Sequence, residues 1–202
     1  MSTTNPDHAT TATAVAALLD GVRAEHLSAP TPCPEYNVAA LLDHFMGLTL
    51  AFTWVARKEN DKLTDDPPHA RAEDLHPDWR RLLPLRLADM VAAWRESSAW
   101  EGQAKAAGVD MPTQIWGLVA LNELVVHGWD LARATGQPYQ PDPAALDVAI
   151  ELMGQDADDP QARDNDGGFG RVVLVSDDSP ALDKAIGLSG RDPAWTPPGG
   201  RG

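Results

Sequence analysis

Residues 116–130 decide how this chain folds and what it binds; they read Trp116-Gly-Leu-Val-Ala-Leu-Asn-Glu-Leu-Val-Val-His-Gly-Trp-Asp130. Drawn as a helix, it is apolar almost all round, which is typical of a helix at the centre of a fold. Glu123 and His127 are four residues apart, so they share one face with roughly 5–6 Å between their Cβ atoms. A buried, unpaired carboxylate is costly, and a cation is one of few partners that offset the cost. The stretch therefore predicts a central helix with two candidate metal ligands.

A third candidate ligand, His44, lies on an earlier apolar stripe, in a core-facing position where leucine is the ordinary residue. The stripe consists of Leu41, His44, Leu48, Phe52 and Val55. Two histidines and a glutamate form the donor set of many zinc sites, with a fourth position open for water or substrate. Two interpretations without a metal remain open. His44 can be a core histidine bonded to a backbone carbonyl, and Glu123 with His127 can be a plain helix contact.

Composition narrows the class of protein. The 202 residues suffice for one domain with a sizeable core. Asp and Glu outnumber Lys and Arg 30 to 16, giving a formal charge of −14 that repels nucleic acid and anionic lipid. The N-terminus lacks the pattern of a secretory signal, and no apolar run reaches the length of a membrane span, so we expect a cytoplasmic protein. The single Cys33 excludes an intrachain disulfide and is interpreted as a buried structural thiol.

Apolar periodicity predicts four long helices, and hence a helical bundle whose core can hold a metal between facing helices. They are a first helix from Val15 to His26, a second from the cap Asn37 to about Glu59, a third from Asp78 to Ala107, and a fourth ending at Gly136. Pro84 is expected to kink the first turn of the third helix or to delay its start. Residues 60–77 are predicted to form a polar loop, with His69 and His76 as surface histidines.

The character of the chain changes after Gly136. We predict a metal-binding bundle over residues 1–140 and an extension over 141–202 that packs on it without forming an independent domain. In the extension, Pro143 opens a short helix, and the acidic residues 155–168 are expected to be a mobile loop. Residues 171–176 are predicted to be extended and packed on the bundle, and Ser179 is predicted to cap a last helix.

Three motifs together carry a family resemblance. They are Thr31-Pro-Cys-Pro-Glu-Tyr-Asn-Val with Leu41-Leu-Asp-His44, Glu123-Leu-Val-Val-His127-Gly-Trp-Asp-Leu-Ala-Arg-Ala-Thr-Gly136, and Gly190-Arg-Asp-Pro-Ala-Trp195. The chain resembles actinobacterial metal-binding proteins related to the N-terminal domain of mycothiol-dependent maleylpyruvate isomerase, in the DinB/YfiT-like superfamily. The resemblance implies an all-α four-helix bundle with a short C-terminal helical extension. It also implies a divalent metal held by His44, Glu123 and His127, with zinc expected and nickel as the alternative.

The resemblance also implies a function. In the mycothiol-dependent enzyme the metal is thought to bind the thiol cofactor and present it as a thiolate. We therefore expect a metal-dependent thiol transferase that uses mycothiol or another low-molecular-weight thiol against an electrophilic small molecule. The alternatives are a non-catalytic metal or ligand-binding module and a metal-dependent hydrolase. The sequence departs from that enzyme after Gly136, so it does not predict isomerisation of maleylpyruvate. We expect a monomer or homodimer.

Two further groups are candidates for supporting roles. Asp130 either orients the imidazole of His127 or pairs with Arg133 on the helix surface, and the sequence leaves both interpretations open. Arg191 and Asp192 either reach a substrate carboxylate or form a turn that docks the tail, and we favour the turn. Trp116 and Trp129 are candidates for the wall of a cavity, although tryptophans in so apolar a helix are usually part of the core.

Overall fold

A computed structural model describes residues 5–63, 69–155, 157 and 169–198 of the chain. These residues form six α-helices and one β-hairpin. In chain order the elements are α1 (Ala9–Gly21), α2 (Val38–Arg57), α3 (Trp79–Trp94), β1 (Gln103–Ala106), β2 (Val109–Pro112), α4 (Thr113–Thr135), α5 (Pro143–Gly154) and α6 (Ala181–Leu188). Single 3₁₀ turns cover Ala24–His26, Asn60–Lys62, Ala72–Asp74 and Ser97–Trp100.

Helices α1 to α4 surround one apolar core, which confirms the predicted four-helix bundle. Helix α2 packs on α3 and α4, and α1 packs on the same two helices from the other side. Phe45, Leu83, Met90 and Leu124 are fully buried where the four helices meet. A second apolar cluster joins the opposite face of α4 to α5 and α6. Helix α4 is apolar almost all round because it packs on both sides.

The ends of α2 and α4 follow their sequence signals. The side chain of Asn37 accepts a hydrogen bond from the Ala40 N–H at 2.9 Å, as expected of an N-cap residue. Helix α4 ends at Gly136, whose φ of +69° is the left-handed conformation that glycine adopts without strain. Asn37 thus fixes the start of α2, and Gly136 fixes the end of α4; these two helices carry the candidate ligands.

The predicted ends of the first and third helices are wrong. Helix α1 stops at Gly21, and His26 lies in a separate 3₁₀ turn. Helix α3 includes Pro84 but stops at Trp94, where the backbone carbonyl accepts the indole N–H of Trp100 at 2.7 Å. This bond takes the place of a continuing helical bond at that carbonyl, and the chain then turns away.

A β-hairpin occupies the segment that was predicted to end the third helix. Strands β1 and β2 pair antiparallel, with Ala106 opposite Val109. The two residues between them, Ala107 and Gly108, both have positive φ, at +51° and +77°. Two consecutive positive φ angles are the hallmark of the tight hairpin turn that matches strand twist. The hairpin places this turn beside α2 and α4.

The C-terminal extension docks on α4 through α5 and α6. Helix α6 begins at Ala181 after Pro180, so the predicted Ser179 cap is wrong by one residue, and no side chain caps this end. The segment from 171 to 176 is not a strand, but Val173 N–H donates to the Gly187 carbonyl at 2.9 Å and so holds the segment against α6. Most of the predicted mobile loop, residues 156 and 158–168, lies outside the described residues.

Helix α2 is long and apolar enough to cross a membrane by length and composition alone. Of its most apolar 18-residue window, 67% is buried inside the fold, as in the core helix of a soluble protein. The helix also carries His44 towards α4. Its apolar character is therefore explained by the bundle core.

Candidate metal centre

Helices α2 and α4 bring the three predicted ligands together. The Nε2 atom of His44 lies 3.1 Å from Glu123 Oε2, and the Nε2 atom of His127 lies 3.3 Å from the same oxygen. One ligand atom from each of the three residues lies within 4.8 Å of the others, a spacing that one ion can bridge. Helix geometry accounts for the pair on α4, since residues four apart are neighbours on one face.

The charges at this point are strongly coupled. Burial acts to raise the pKa of Glu123, but His127 and His44 outweigh burial and hold that pKa well below its usual range. Burial acts to lower the pKa of His127, but the carboxylates of Glu123 and Asp130 outweigh it and raise that pKa. Without a metal, the site thus favours an ionised glutamate beside a protonated histidine. A divalent cation carries the same sign of charge as that proton and can replace it.

Glu123 is less enclosed than the sequence suggested. Its side chain is 24% exposed, whereas the side chains of His44 and His127 are 12% and 9% exposed. The exposure arises because Glu123 and His44 face a cavity between the helices. The site therefore combines two sheltered imidazoles with a carboxylate that a small molecule can approach.

Asp130 settles the orientation of His127. Its carboxylate accepts a hydrogen bond from His127 Nδ1 at 2.9 Å, and its side chain is completely buried. An ionised carboxylate only accepts, so Nδ1 carries the proton and Nε2 is left to face Glu123 and His44. Arg133 does not pair with Asp130 and instead donates to the carbonyl of Trp195. Of the two interpretations that the sequence left open, the structure supports the orienting role.

Arg191 completes this chain of contacts. Its Nε donates to both oxygens of Asp130, at 2.9 and 3.1 Å, and its side chain is 10% exposed. An Nη1 bond to the Ser189 carbonyl at 3.3 Å fixes the guanidinium to the end of α6. Arg191 is therefore committed to the tail and to Asp130, as the favoured turn interpretation predicted. Asp192 bonds to the Ala194 N–H within the same turn.

Aromatic rings enclose the two histidines. The ring of Tyr36 lies 5.2 Å from that of His44 and 6.2 Å from that of His127, measured between centroids. The rings of His44 and His127 meet edge to face at 4.8 Å. Burial raises the pKa of Tyr36 to about 12, so its hydroxyl stays protonated at neutral pH. The Nδ1 atom of His44 is buried and has no hydrogen-bond partner among the residues that the structure describes.

The donor set fits a divalent metal such as zinc. Each histidine turns an Nε2 atom towards the same carboxylate oxygen, so two imidazole nitrogens and one carboxylate oxygen converge, as in His₂Glu zinc sites. The Asp130 bond behind His127 is the usual support of a ligating imidazole. Three protein ligands leave a position for an exogenous ligand, and the cavity beside Glu123 gives access to it.

Two cavities adjoin the three donors. The first, of about 340 Å³, is lined by His44, Lys62, Glu123, Trp116 and a set of apolar residues from α2, the chain just after the 3₁₀ turn that follows it, and the hairpin. The second, of about 310 Å³, shares His44 and Gly47 with the first and is otherwise lined by both charged or polar and apolar side chains. Both sizes are typical of small-molecule sites.

Some residues of this region have roles that sequence reasoning missed or left open. Trp116 lines the first cavity with its indole N–H bonded to the Ala104 carbonyl, whereas Trp129 belongs to the core. His69 and His76 are exposed, as predicted, and they also line the second cavity. Tyr36 lies within a motif quoted above, but nothing in its spacing placed it over His44. Cys33 is buried, and burial raises the pKa of its thiol, which agrees with a structural role.

The comparisons with known proteins agree with this geometry. The sequence model of the protein family described as the mycothiol maleylpyruvate isomerase N-terminal domain matches residues 8–132, more than half of the chain. The chain belongs to this family. The matched span includes His44, Glu123, His127 and Asp130, whereas Arg191 lies beyond it.

Individual relatives and solved structures are similar to this chain to different degrees. Uncharacterized proteins of two Mycobacterium tuberculosis strains, H37Rv and CDC 1551, are each 29% identical over 151 residues, which cover 69% of this chain and 70% of theirs. The crystal structure of the mycothiol-dependent maleylpyruvate isomerase matches with a TM-score of 0.58 at 19% identity, covering 73% of this chain and 67% of that one. A mutant of that enzyme matches equally well. At this identity the structural match establishes the fold alone.

Proposed function

We propose that this protein is a metal-dependent thiol transferase, in which His44, Glu123 and His127 hold a divalent metal, most simply zinc. The observation that carries the proposal is the convergence of three donor atoms within 4.8 Å at the end of a cavity of small-molecule size. The family relation to a mycothiol-dependent enzyme supports a thiol as one reactant. Mycothiol or a similar low-molecular-weight thiol is the proposed cofactor.

A metal bound here supplies Lewis acidity that holds a coordinating thiol in its deprotonated, nucleophilic form at neutral pH. The reaction is RSH + R′X → RSR′ + X⁻ + H⁺. A C–S bond forms, the C–X bond breaks, X leaves with the bonding electron pair, and the thiol proton passes to solvent. The residues of the chain hold and orient the reactants. The protein needs no reactive cysteine of its own, which agrees with the burial of Cys33 and its raised pKa.

Each of the surrounding residues has a defined part in this proposal. Asp130 keeps the His127 proton on Nδ1, so that Nε2 remains a ligand. Tyr36 covers the two imidazoles and limits the access of water from its side. The cavity beside Glu123 receives the second reactant. We further propose a cytoplasmic location, because a low-molecular-weight thiol is kept reduced there.

A direct absorbance assay of thiol transfer tests the function. Protein loaded with zinc is incubated with mycothiol and 1-chloro-2,4-dinitrobenzene, and the thioether product is followed by absorbance. We expect turnover above the rate without protein and a return to that rate in His44→Ala. His26→Ala is the matched control, since His26 lies in the turn before α2 and its ring accepts a hydrogen bond from the Arg23 backbone N–H, away from the three donors.

Other outcomes separate this proposal from its alternatives. Product from an ester or amide substrate in the absence of any thiol would instead support a metal-dependent hydrolase. One equivalent of bound metal without turnover on any thiol and electrophile pair would support a non-catalytic binding module.

A further inference from the structure

The cavity beside Glu123 has walls that offer almost no polar contact. Helix α2, the chain after it, the hairpin turn and α4 each contribute apolar side chains. The apolar walls include Leu48, Phe52, Val55, Leu63, Ala106 and Trp116. The indole N–H of Trp116 is already bonded to the Ala104 carbonyl, so it offers no donor to a ligand. A ligand in this cavity therefore gains free energy by burying apolar surface.

Positive charge is scarce around this cavity. Of the lining residues that the structure describes, one is a lysine, Lys62, and none is an arginine. Lys62 already pairs with Glu59 at the surface. The acidic group that lines the cavity is Glu123, and the whole chain carries a formal charge of −14; a metal bound by the three donors would add positive charge at that end and not along the walls. A carboxylate of a ligand that bound against these walls would lose its hydration without gaining a partner, which is strongly unfavourable.

The second cavity differs in having several charged and polar side chains beside its apolar ones, Met46, Leu50 and Ala70. It shares His44 and Gly47 with the first and is lined by Asp43, His69, Asp74, His76 and Arg86. Arg86 uses Nη1 to bond to the Met46 carbonyl at 2.7 Å, which holds its guanidinium at this wall. A thiol that carries sugar hydroxyls, such as mycothiol, matches polar walls of this kind. The apolar cavity is then left for the other reactant.

We infer that the electrophile taken by this protein is an uncharged, apolar small molecule, bound between α2, the hairpin and α4. This inference rests on the proposed function, and it separates the protein from an isomerase of maleylpyruvate, a substrate with two carboxylates. Ala51 is the residue that tests it best. It lines the cavity and is only half-buried, so a larger side chain there fills the cavity without replacing a core residue.

The test is a binding measurement that needs neither metal nor thiol. The fluorescent probe 1-aminoanthracene, uncharged at neutral pH, is compared with anthracene-1-carboxylate, which is similar in size but anionic. We expect the uncharged probe to bind roughly tenfold or more tightly than the carboxylate. Ala51→Phe should weaken binding of the uncharged probe by a similar factor, whereas Ala181→Phe, at an exposed position of α6 outside the cavity, should not.

The outcomes separate this inference from the proposed function. Equal or tighter binding of the carboxylate would overturn the inference, as would an unchanged affinity in Ala51→Phe with its fold intact by circular dichroism. The expected probe preference together with no thiol transfer would support an apolar-ligand site and count against the proposed function alone.

Discussion

Arg191 donates from Nε to both carboxylate oxygens of Asp130, at 2.9 and 3.1 Å, and so joins the C-terminal segment to helix α4. Asp130 in turn accepts from Nδ1 of His127. A residue outside the family-matched span of 8–132 thus supports a candidate ligand within it. The tail is therefore part of the framework of the site.

Asp130→Asn should weaken metal binding, and because it also removes the charge that pairs with Arg191, folding of the variant is checked by circular dichroism. The amide oxygen can still accept from His127, but the negative charge that raises the basicity of the imidazole is lost. We expect a roughly 10- to 100-fold loss of zinc affinity, as for other carboxylates behind ligating histidines. Competition with a chromophoric chelator measures it, and Asp147→Asn, at an exposed position on α5, is the control. Equal affinities in the wild type and Asp130→Asn would refute the orienting role.

Arg191→Leu should destabilise the fold, because it leaves the buried Asp130 carboxylate without its cation. Removing one partner of a buried ion pair costs about 3–5 kcal/mol. Urea unfolding of the metal-free protein measures the loss. The double variant Arg191→Leu with Asp130→Leu should recover part of it, since both charges of the Arg191–Asp130 pair are gone; the recovery is partial because His127 Nδ1 then loses its acceptor. A loss below about 1 kcal/mol in the single variant would show that the pair behaves as an exposed one.

Two helical glycines should respond to alanine in opposite directions. A Cβ at Gly117 would lie 2.5 Å from the ring of Trp100, so Gly117→Ala should cost about 1–3 kcal/mol through overpacking. A Cβ at Gly47 would meet nothing within 4 Å, so Gly47→Ala should stabilise α2 by roughly 0.5–1 kcal/mol. Thermal unfolding of both variants provides the comparison. A stabilised Gly117→Ala would contradict the packing of α4 against the aromatic cluster.

His8 should make stability depend on pH. Its side chain is buried between Trp94 and Trp100 with Nε2 at 2.9 Å from the Gly117 carbonyl, and burial lowers its pKa from 6.5 to about 4. Between these two values the unfolded chain binds a proton that the folded chain does not. The contribution of His8 to the free energy of unfolding should therefore be constant above pH 6.5 and fall as the pH drops towards 4, by about 3 kcal/mol in total.

The control for this prediction is a variant in which an aromatic ring without an ionisable group replaces the imidazole of His8. His8→Phe keeps an aromatic ring against Trp94 and should flatten the part of the stability curve between pH 6.5 and 4. Chemical unfolding of both proteins across this range gives the difference curve. Parallel curves for the wild type and His8→Phe would show that His8 is not the group responsible.

Much of the bundle was predictable because its signals are local. Apolar periodicity located α2 and α4, and Asn37 and Gly136 marked their ends by cap chemistry that acts within one turn. The i,i+4 spacing of Glu123 and His127 likewise brings them together without knowledge of the rest of the fold. His44 joined them because its stripe faces the core.

The parts that were missed depend on contacts between distant segments. Helix α3 ends at Trp94 because Trp100 bonds back to it, and the hairpin that follows has only the Ala107-Gly108 turn as a local signal. The sequence could not identify the arginine that pairs with Asp130. Arg133 is near it in sequence but bonds to Trp195, whereas Arg191 is distant in sequence and is brought to Asp130 by the fold. Neither cavity could be foreseen, because each is formed by side chains from several elements.

The measurement that tests the central claim most directly is the metal content per chain, by elemental analysis, of wild type and Glu123→Gln. Both proteins are purified without a chelating tag, and folding is checked by circular dichroism. We predict about one zinc or nickel ion per wild-type chain and a loss of that ion in Glu123→Gln, since the amide is a poor ligand for such metals. No metal in the wild type, with no uptake on titration with zinc, would contradict a site formed by His44, Glu123 and His127.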